Sequence, residues 1–200
     1  MKVNSNVVLK GSKAILVPYK REHVLIYHEW MKDPFLQEMT ASEPLTLEEE
    51  YEMQQSWYED EKKCTFILLS SGMERNRVGI SAQFGGMVGD VNLYFNDFYD
   101  PHVAEIEIMV AEEEARGQGL GLEALRMMMR YAVERLSVKS FVSKISLKNE
   151  SSQRLFRERL SFVEESVSQA FQEVTLVRPV DDVLVRELAQ TVQWEERIFE

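Results

Sequence analysis

Apolar positions along this chain recur in runs of two different rhythms, and each rhythm predicts an element. Ala14-Ile15-Leu16-Val17-Pro18-Tyr19 predicts a first strand, ended by Pro18, whose nitrogen cannot donate to a central ladder. Val24, Tyr27, His28 and Met31 then fall at helical spacing and predict a helix over 21–32. Thr46-Leu47-Glu48-Glu49 has the form of a capping box and predicts a second helix reaching about Asp60. Further strands are expected over 64–70, 87–95 and 104–111, with a glycine-containing connection at 71–86 and a turn at 96–102. Leu122, Leu125, Met129, Ala132 and Leu136 line one face of a helix over 120–136, in which Met127-Met128-Met129 reads as core packing. A strand over 141–147, a helix capped at Asn149-Glu150-Ser151-Ser152 and a hairpin of strands near 162–169 and 171–178 follow. From Asp181 onward, Val185, Leu188, Val192 and Phe199 predict one amphipathic helix. The expected division is therefore a domain over 1–180 and a helical extension over 181–200.

One stretch stands out chemically. Ala104–Ala111 reads as a buried strand, and Arg116-Gly117-Gln118-Gly119-Leu120-Gly121 opens the next helix. Alternating glycines leave the first backbone N–H groups of a helix bare, at the positive end of its dipole, which is a phosphate-binding arrangement. A dinucleotide fingerprint needs a later third glycine and an acidic residue ending the next strand, and a P-loop needs Lys-Ser/Thr after the last glycine; neither is present.

Composition narrows the partners. The formal net charge of −11 disfavours nucleic acid, whose phosphates are neutralised by clustered Lys and Arg, and it favours a cationic partner. It also requires an anionic cofactor to be held locally by backbone dipoles and a few arginines. No apolar run approaches the roughly 18 residues of a membrane span, and none near Met1 suits a signal peptide, so a cytoplasmic protein, with the nucleus as the alternative, is expected. The single cysteine, Cys64, lies in an apolar run and reads as a reduced core residue. His23, His28 and His102 lack metal-ligand spacing, so no metal is expected.

Two signatures together resemble the GNAT superfamily of N-acetyltransferases: Arg116-x-x-Gly119-x-Gly121, and Asn149-x-x-Ser152-x-x-Leu155-Phe156 followed by Leu160-Ser161-Phe162. The order of predicted elements over residues 13–178 resembles that fold as well. Val17-Pro18-Tyr19, Tyr27-His28-Glu29-Trp30-Met31, Thr40–Glu48, Val88–Leu93 and Phe171–Leu176 resemble the eukaryotic N-acetyltransferase 9-like branch. The resemblance implies an α/β (α+β) fold with a mixed central sheet of about seven strands flanked by helices. It also implies an acetyl-CoA-dependent N-acetyltransferase acting on a protein amine, N-terminal or lysine, by direct attack in a ternary complex. Tubulin and microtubules are the partners the branch suggests. A CoA-binding scaffold with little turnover is the competing reading, and small-amine acetylation a third.

By the same resemblance, Gly117, Gly119, Leu120 and Gly121 cradle the cofactor's pyrophosphate, with Arg116 and Gln118 alongside. Met109, Val110 and Ala111 mark a strand end whose backbone N–H meets the thioester carbonyl, Asn149 meets the pantetheine arm, and Ser152 and Phe156 are further cofactor contacts. Many members carry a tyrosine acid where Phe156 stands, and Ser161 occupies a position usually held by glycine, a strained one if its φ is positive. Glu105 and Glu107 share one face of their strand, opposite Ile106 and Ile108, so burial would raise at least one carboxyl pKa into the range of a general base. Glu48, Glu49 and Glu50 read either as a solvated helix start or as an attraction for a cationic substrate.

Overall fold

The computed structural model describes residues 2–199. β1 (Val7–Lys10) and β2 (Ala14–Pro18) are followed by three helices, α1 (Val24–Trp30), α2 (Pro34–Thr40) and α3 (Leu47–Glu59). β3 (Lys63–Ser70), β4 (Gly86–Tyr94) and β5 (Val103–Val110) continue the sheet from β2, each antiparallel to the strand before it. α4 (Leu120–Leu136) then carries the chain to β6 (Ser140–Ser146), the parallel neighbour of β5. α5 (Glu150–Arg154) continues into a π turn at Leu155–Arg159, and β7 (Val163–Ser168), β8 (Glu173–Pro179), α6 (Asp182–Thr191) and β9 (Glu195–Ile198) complete the fold.

Among the described residues the sheet has nine strands, ordered β7-β8-β6-β5-β4-β3-β2-β1-β9, against about seven expected. The additions, β1 and β9, pair with each other at one edge. β9 is exposed along its whole length and polar up to Ile198, so pairing rather than its own pattern makes it a strand. Two cores cover the sheet. On one face Leu16, Phe66, Leu68, Val91, Leu93 and Ile106 pack under α4 and α6; on the other Val17, Ile67, Leu69, Met87 and Met109 pack under α1 and α3. Strands covered on both faces read as continuous apolar runs, as β3 does. All three of Met127, Met128 and Met129 are buried, in a helix that has eight buried positions.

Local signals act where they were read. Thr46 and Glu49 form the reciprocal capping box, and Asn149 accepts from the Ser152 N–H at 3.1 Å. The first helical region divides into a 3₁₀ turn at Arg21–His23 and α1. α2 was missed, although Asp33 caps it and Pro34 sits in its first turn, a standard start signal.

The tail corrects the expectation of one helix over 181–200. Asp181 caps α6 through the Leu184 N–H at 2.7 Å, and the helix ends at Thr191. Arg130 holds the Val192 carbonyl at 2.6 Å and stacks over Trp194, after which the chain extends into β9. Leu188 and Val192 are buried as expected, with Leu184 beside them, but Val185 is 44% exposed. Phe199 is buried in the core of the opposite face. Truncating Leu188 to Ala should therefore cost about 2–4 kcal/mol in urea unfolding, whereas Val185→Ala should cost under about 0.5 kcal/mol.

Candidate active site

β5 pairs with β4 from Glu105 to Val110, but with β6 only from Val103 to Glu105. Beyond that point the two parallel strands separate. The end of β5 is bent by a bulge: the N–H groups of Ala111 and Glu112 both donate to the Val88 carbonyl, at 2.8 and 3.3 Å. Strand alternation then turns the N–H groups of Met109 and Ala111 toward β4 and that of Val110 into the opening. Of the three expected positions, Val110 alone has a backbone donor turned away from the ladder.

Arg116 fastens this strand end. Its guanidinium donates to the Val110 and Ala111 carbonyls, both at 2.9 Å, and lies over the Phe35 ring. Arg116 thus lines the groove with its Nε and Nη2 engaged by carbonyls, a fastening role the sequence did not reveal. Gln118 departs from expectation: its side chain donates to the Glu114 carbonyl, and its own carbonyl accepts from Lys13 Nζ at 3.1 Å.

Gly117 and Gly119 adopt φ of +71° and +84°, which lets the chain enter α4 with no side-chain cap over the first turn. A groove of about 570 Å³ opens there. Gly117, Gly119, Leu120 and Gly121 form one wall and Ile108, Met109 and Val110 its floor; Asn149, Ser152, Leu155, Arg154 and Arg159 lie on the far side, and α2 contributes Phe35, Leu36, Met39 and Thr40. The α2 wall and the two arginines were not anticipated. Phe156 is corrected: it is 1% exposed, packs edge-on against Phe162 at 5.0 Å, and does not line the groove. Its neighbour Leu155 takes the groove-facing position at the start of the π turn. Ser161 does adopt positive φ, +57°, where the Phe162 N–H closes back onto the Phe156 carbonyl.

The face of β5 turned toward α1 and α3 continues into a layer of polar groups. Glu105 and Glu107 lie on that face as expected, in unlike surroundings. Glu105 is ion-paired with Lys144 at 2.8 Å near the surface. Glu107 stands opposite Asn92, hydrogen-bonds the Tyr94 hydroxyl, and is pushed up to about 7 by burial and by the Glu105 charge. Asp90 is buried and accepts from Asn92 at 2.8 Å and from the Tyr27 hydroxyl at 3.4 Å; burial raises its carboxyl to about 6. Glu48 and Glu49 are exposed, whereas Glu50 is buried beside His28 at 3.8 Å and raised by burial to about 7. Burial and the Lys20 charge push the His23 imidazole down to about 3, so it is a neutral core residue. Among the described residues no helix is long and apolar enough to cross a membrane, and no three His, Cys, Asp or Glu side chains converge on a metal site.

The family model described as "Acetyltransferase (GNAT) domain" matches residues 13–159. The chain belongs to the GNAT acetyltransferases.

This acetyltransferase is 54% identical to an N-acetyltransferase 9-like protein of Nematostella vectensis, over 88% of this chain and 87% of the relative. It is 50% identical to the alpha/beta-tubulin-N-acetyltransferase 9 of Homo sapiens, over 88% and 84%. Among solved structures, a Vibrio cholerae spermidine N-acetyltransferase in complex with CoA and spermine superposes with a TM-score of 0.71 at 18% identity, covering 84% of this chain and 96% of that one. A ribosomal L7/L12 alpha-N-protein acetyltransferase in complex with coenzyme A gives 0.68 at 18%, covering 85% and 96%. These two likenesses show the GNAT fold.

In this acetyltransferase the strand bulge has a second anchor that the sequence did not reveal. Glu112, its side chain 11% exposed, accepts from Trp30 Nε1 at 2.7 Å, Asn76 Nδ2 at 2.6 Å and Arg75 at 2.7 Å. One carboxylate therefore ties α1, the 71–85 connection and the end of β5. Glu112→Ala leaves these donors without their acceptor and should cost about 2–4 kcal/mol. Faster tryptic cleavage after Arg75 and Arg77 would register the loosened connection.

Proposed function

We propose that this acetyltransferase carries the acetyl group of acetyl-CoA to a protein α-amine, with the tubulin N-terminus as the first candidate acceptor. One observation carries the reading: the bare start of α4, the outward Val110 N–H and the buried Glu107 meet around the end of a single strand. The acceptor follows the relatives whose names specify alpha/beta-tubulin N-acetylation.

The groove suits an acyl-CoA. An added Cβ at Gly117 would meet nothing within 4 Å, so the loop backbone is open to an approaching phosphate, and Arg154 and Arg159 bring positive charge to the opposite side. Bound acetyl-CoA supplies a thioester whose acyl carbon is open to attack by an amine. The N–H groups of the loop and of the first turn of α4 hold the pyrophosphate. Asn149 and Ser152 line the path of the pantetheine arm, while Ile108, Leu155 and Met39 exclude water beside it. Val110 N–H is the donor aimed at the thioester carbonyl, a type of contact worth about 10²–10³ in rate. Glu107 accepts the proton of the incoming amine, and as the C–N bond forms and the C–S bond breaks, CoA leaves as a thiolate that takes a proton from water. A base near 7 is closely matched to an α-amine of about 7.7–8.0 and poorly matched to a lysine near 10.4, which favours the N-terminal acceptor.

Calorimetric titration with CoA checks the cradle. The wild type should bind, and Gly119→Glu should weaken binding by at least about 100-fold, since it adds a side chain at φ +84° and an anion to an anion site. Tight binding by that variant would contradict the assignment. Glu107→Gln should keep CoA affinity and lose about 10²–10⁴ in acetylation of a tubulin N-terminal peptide followed by mass spectrometry. An unchanged rate would remove Glu107 from the mechanism.

A further inference from the structure

Lys63 occupies the first position of β3 and is only 3% exposed. Its ammonium lies 3.1 Å from the ring centroid of Trp57 and 3.9 Å from that of Tyr94. Tyr94 is its cross-strand partner, and the hydroxyl of that same ring hydrogen-bonds Glu107. A lysine buried in this way opposes folding, because desolvation disfavours the ammonium; replacing a buried charge with an apolar side chain is often neutral or stabilising. Packing therefore does not explain why an ammonium is here.

We propose that Lys63 is a positioning residue for Glu107: held between Trp57 and Tyr94, its ammonium fixes the Tyr94 ring that hydrogen-bonds Glu107 and supplies the positive charge facing that carboxylate. The proposal rests on Glu107 being the base. The groups that act on Glu107 are Asp90 and Tyr94 from β4, Glu105 on its own strand, Lys63 from β3 and Lys144 from β6. α3 faces the cluster with the Trp57 ring, Asp60 follows it and acts on Lys63, and the Tyr27 hydroxyl from α1 engages Asp90. Lys144 is hydrogen-bonded to Glu105 at the exposed rim, which leaves Lys63 as the buried cation opposing the repulsion from Asp90 and Glu105.

The sign follows directly. A cation beside a carboxylate favours its charged form, and the base acts only when charged. Removing the cation must move the acid limb of activity to higher pH. Lys63 itself is drawn down to about 7 by burial against the pull of Asp90, Glu107 and Asp60, so its ammonium is present through the acid side of that limb.

The test is the pH profile of kcat/KM for acetylation of a peptide with a free N-terminus, using the full chain as wild type, Lys63→Met, Lys63→Gln and Lys63→Arg. Lys63→Met and Lys63→Gln should move the acid limb up by about one pH unit, so that kcat/KM drops about fivefold at pH 7, about tenfold well below the limb, and approaches the wild-type value above it. Lys63→Arg, which keeps the charge, should keep the limb. Two uncharged variants guard against one failing to fold, with calorimetric CoA binding as the check of integrity. A purely structural role lowers the plateau at every pH and leaves the limb where it was; that result overturns the proposal. Glu107→Gln separates the two failures: full activity there defeats the base assignment, whereas lost activity with an unmoved Lys63 limb defeats this proposal alone.

Discussion

The separation of β5 from β6 is the constraint from which the rest of the site follows. Two parallel strands that stop pairing part-way along the sheet expose backbone donors and acceptors that must find other partners. Here the Val110 carbonyl is taken by Arg116, and the Ala111 and Glu112 N–H groups converge on Val88. The outward N–H of Val110 is left facing a groove walled by the first turn of α4. Close packing keeps that wall in place: a side chain at Gly121 would come within 3.3 Å of Val110. Cofactor cradle and carbonyl donor are therefore set by one short stretch of backbone.

The two-residue period of β5 divides its labour. Ile106, Ile108 and Val110 turn toward α4, packing in the core or flooring the groove, while Glu105, Glu107 and Met109 turn toward α1 and α3. A carboxylate on the second face is carried into a layer shared with Asp90, Asn92, Tyr94 and Lys63, where desolvation dominates its ionisation. Glu105, two residues earlier, reaches the rim and finds Lys144 instead. Burial and a single cross-strand ring thus distinguish two carboxylates that look equivalent in the sequence.

Elements with a strong local signal were legible from the sequence. The start of α4 was marked by the glycine loop and its length by a sustained apolar face; the α3 capping box and the Asn149 cap are both formed. β1 and β9 were not legible, because four-residue strands carry little pattern and their pairing joins opposite ends of the chain. Lys63 lies just outside the strand expected over 64–70, and only the folded chain brings Trp57 and Tyr94 over it. Motif position misled at Phe156, which packs inward, and gave no sign that Arg116 fastens the Val110 and Ala111 carbonyls. Both depend on local backbone turns that residue spacing does not encode.

Residue-resolved amide hydrogen exchange along β5, measured by NMR with and without acetyl-CoA, tests the central claim most directly. The Met109 and Ala111 amides, engaged by β4, should exchange slowly in both states. The Val110 amide should exchange fast without ligand and become protected when acetyl-CoA binds. A Val110 amide that is slow without ligand, or unaffected by acetyl-CoA, would contradict the account.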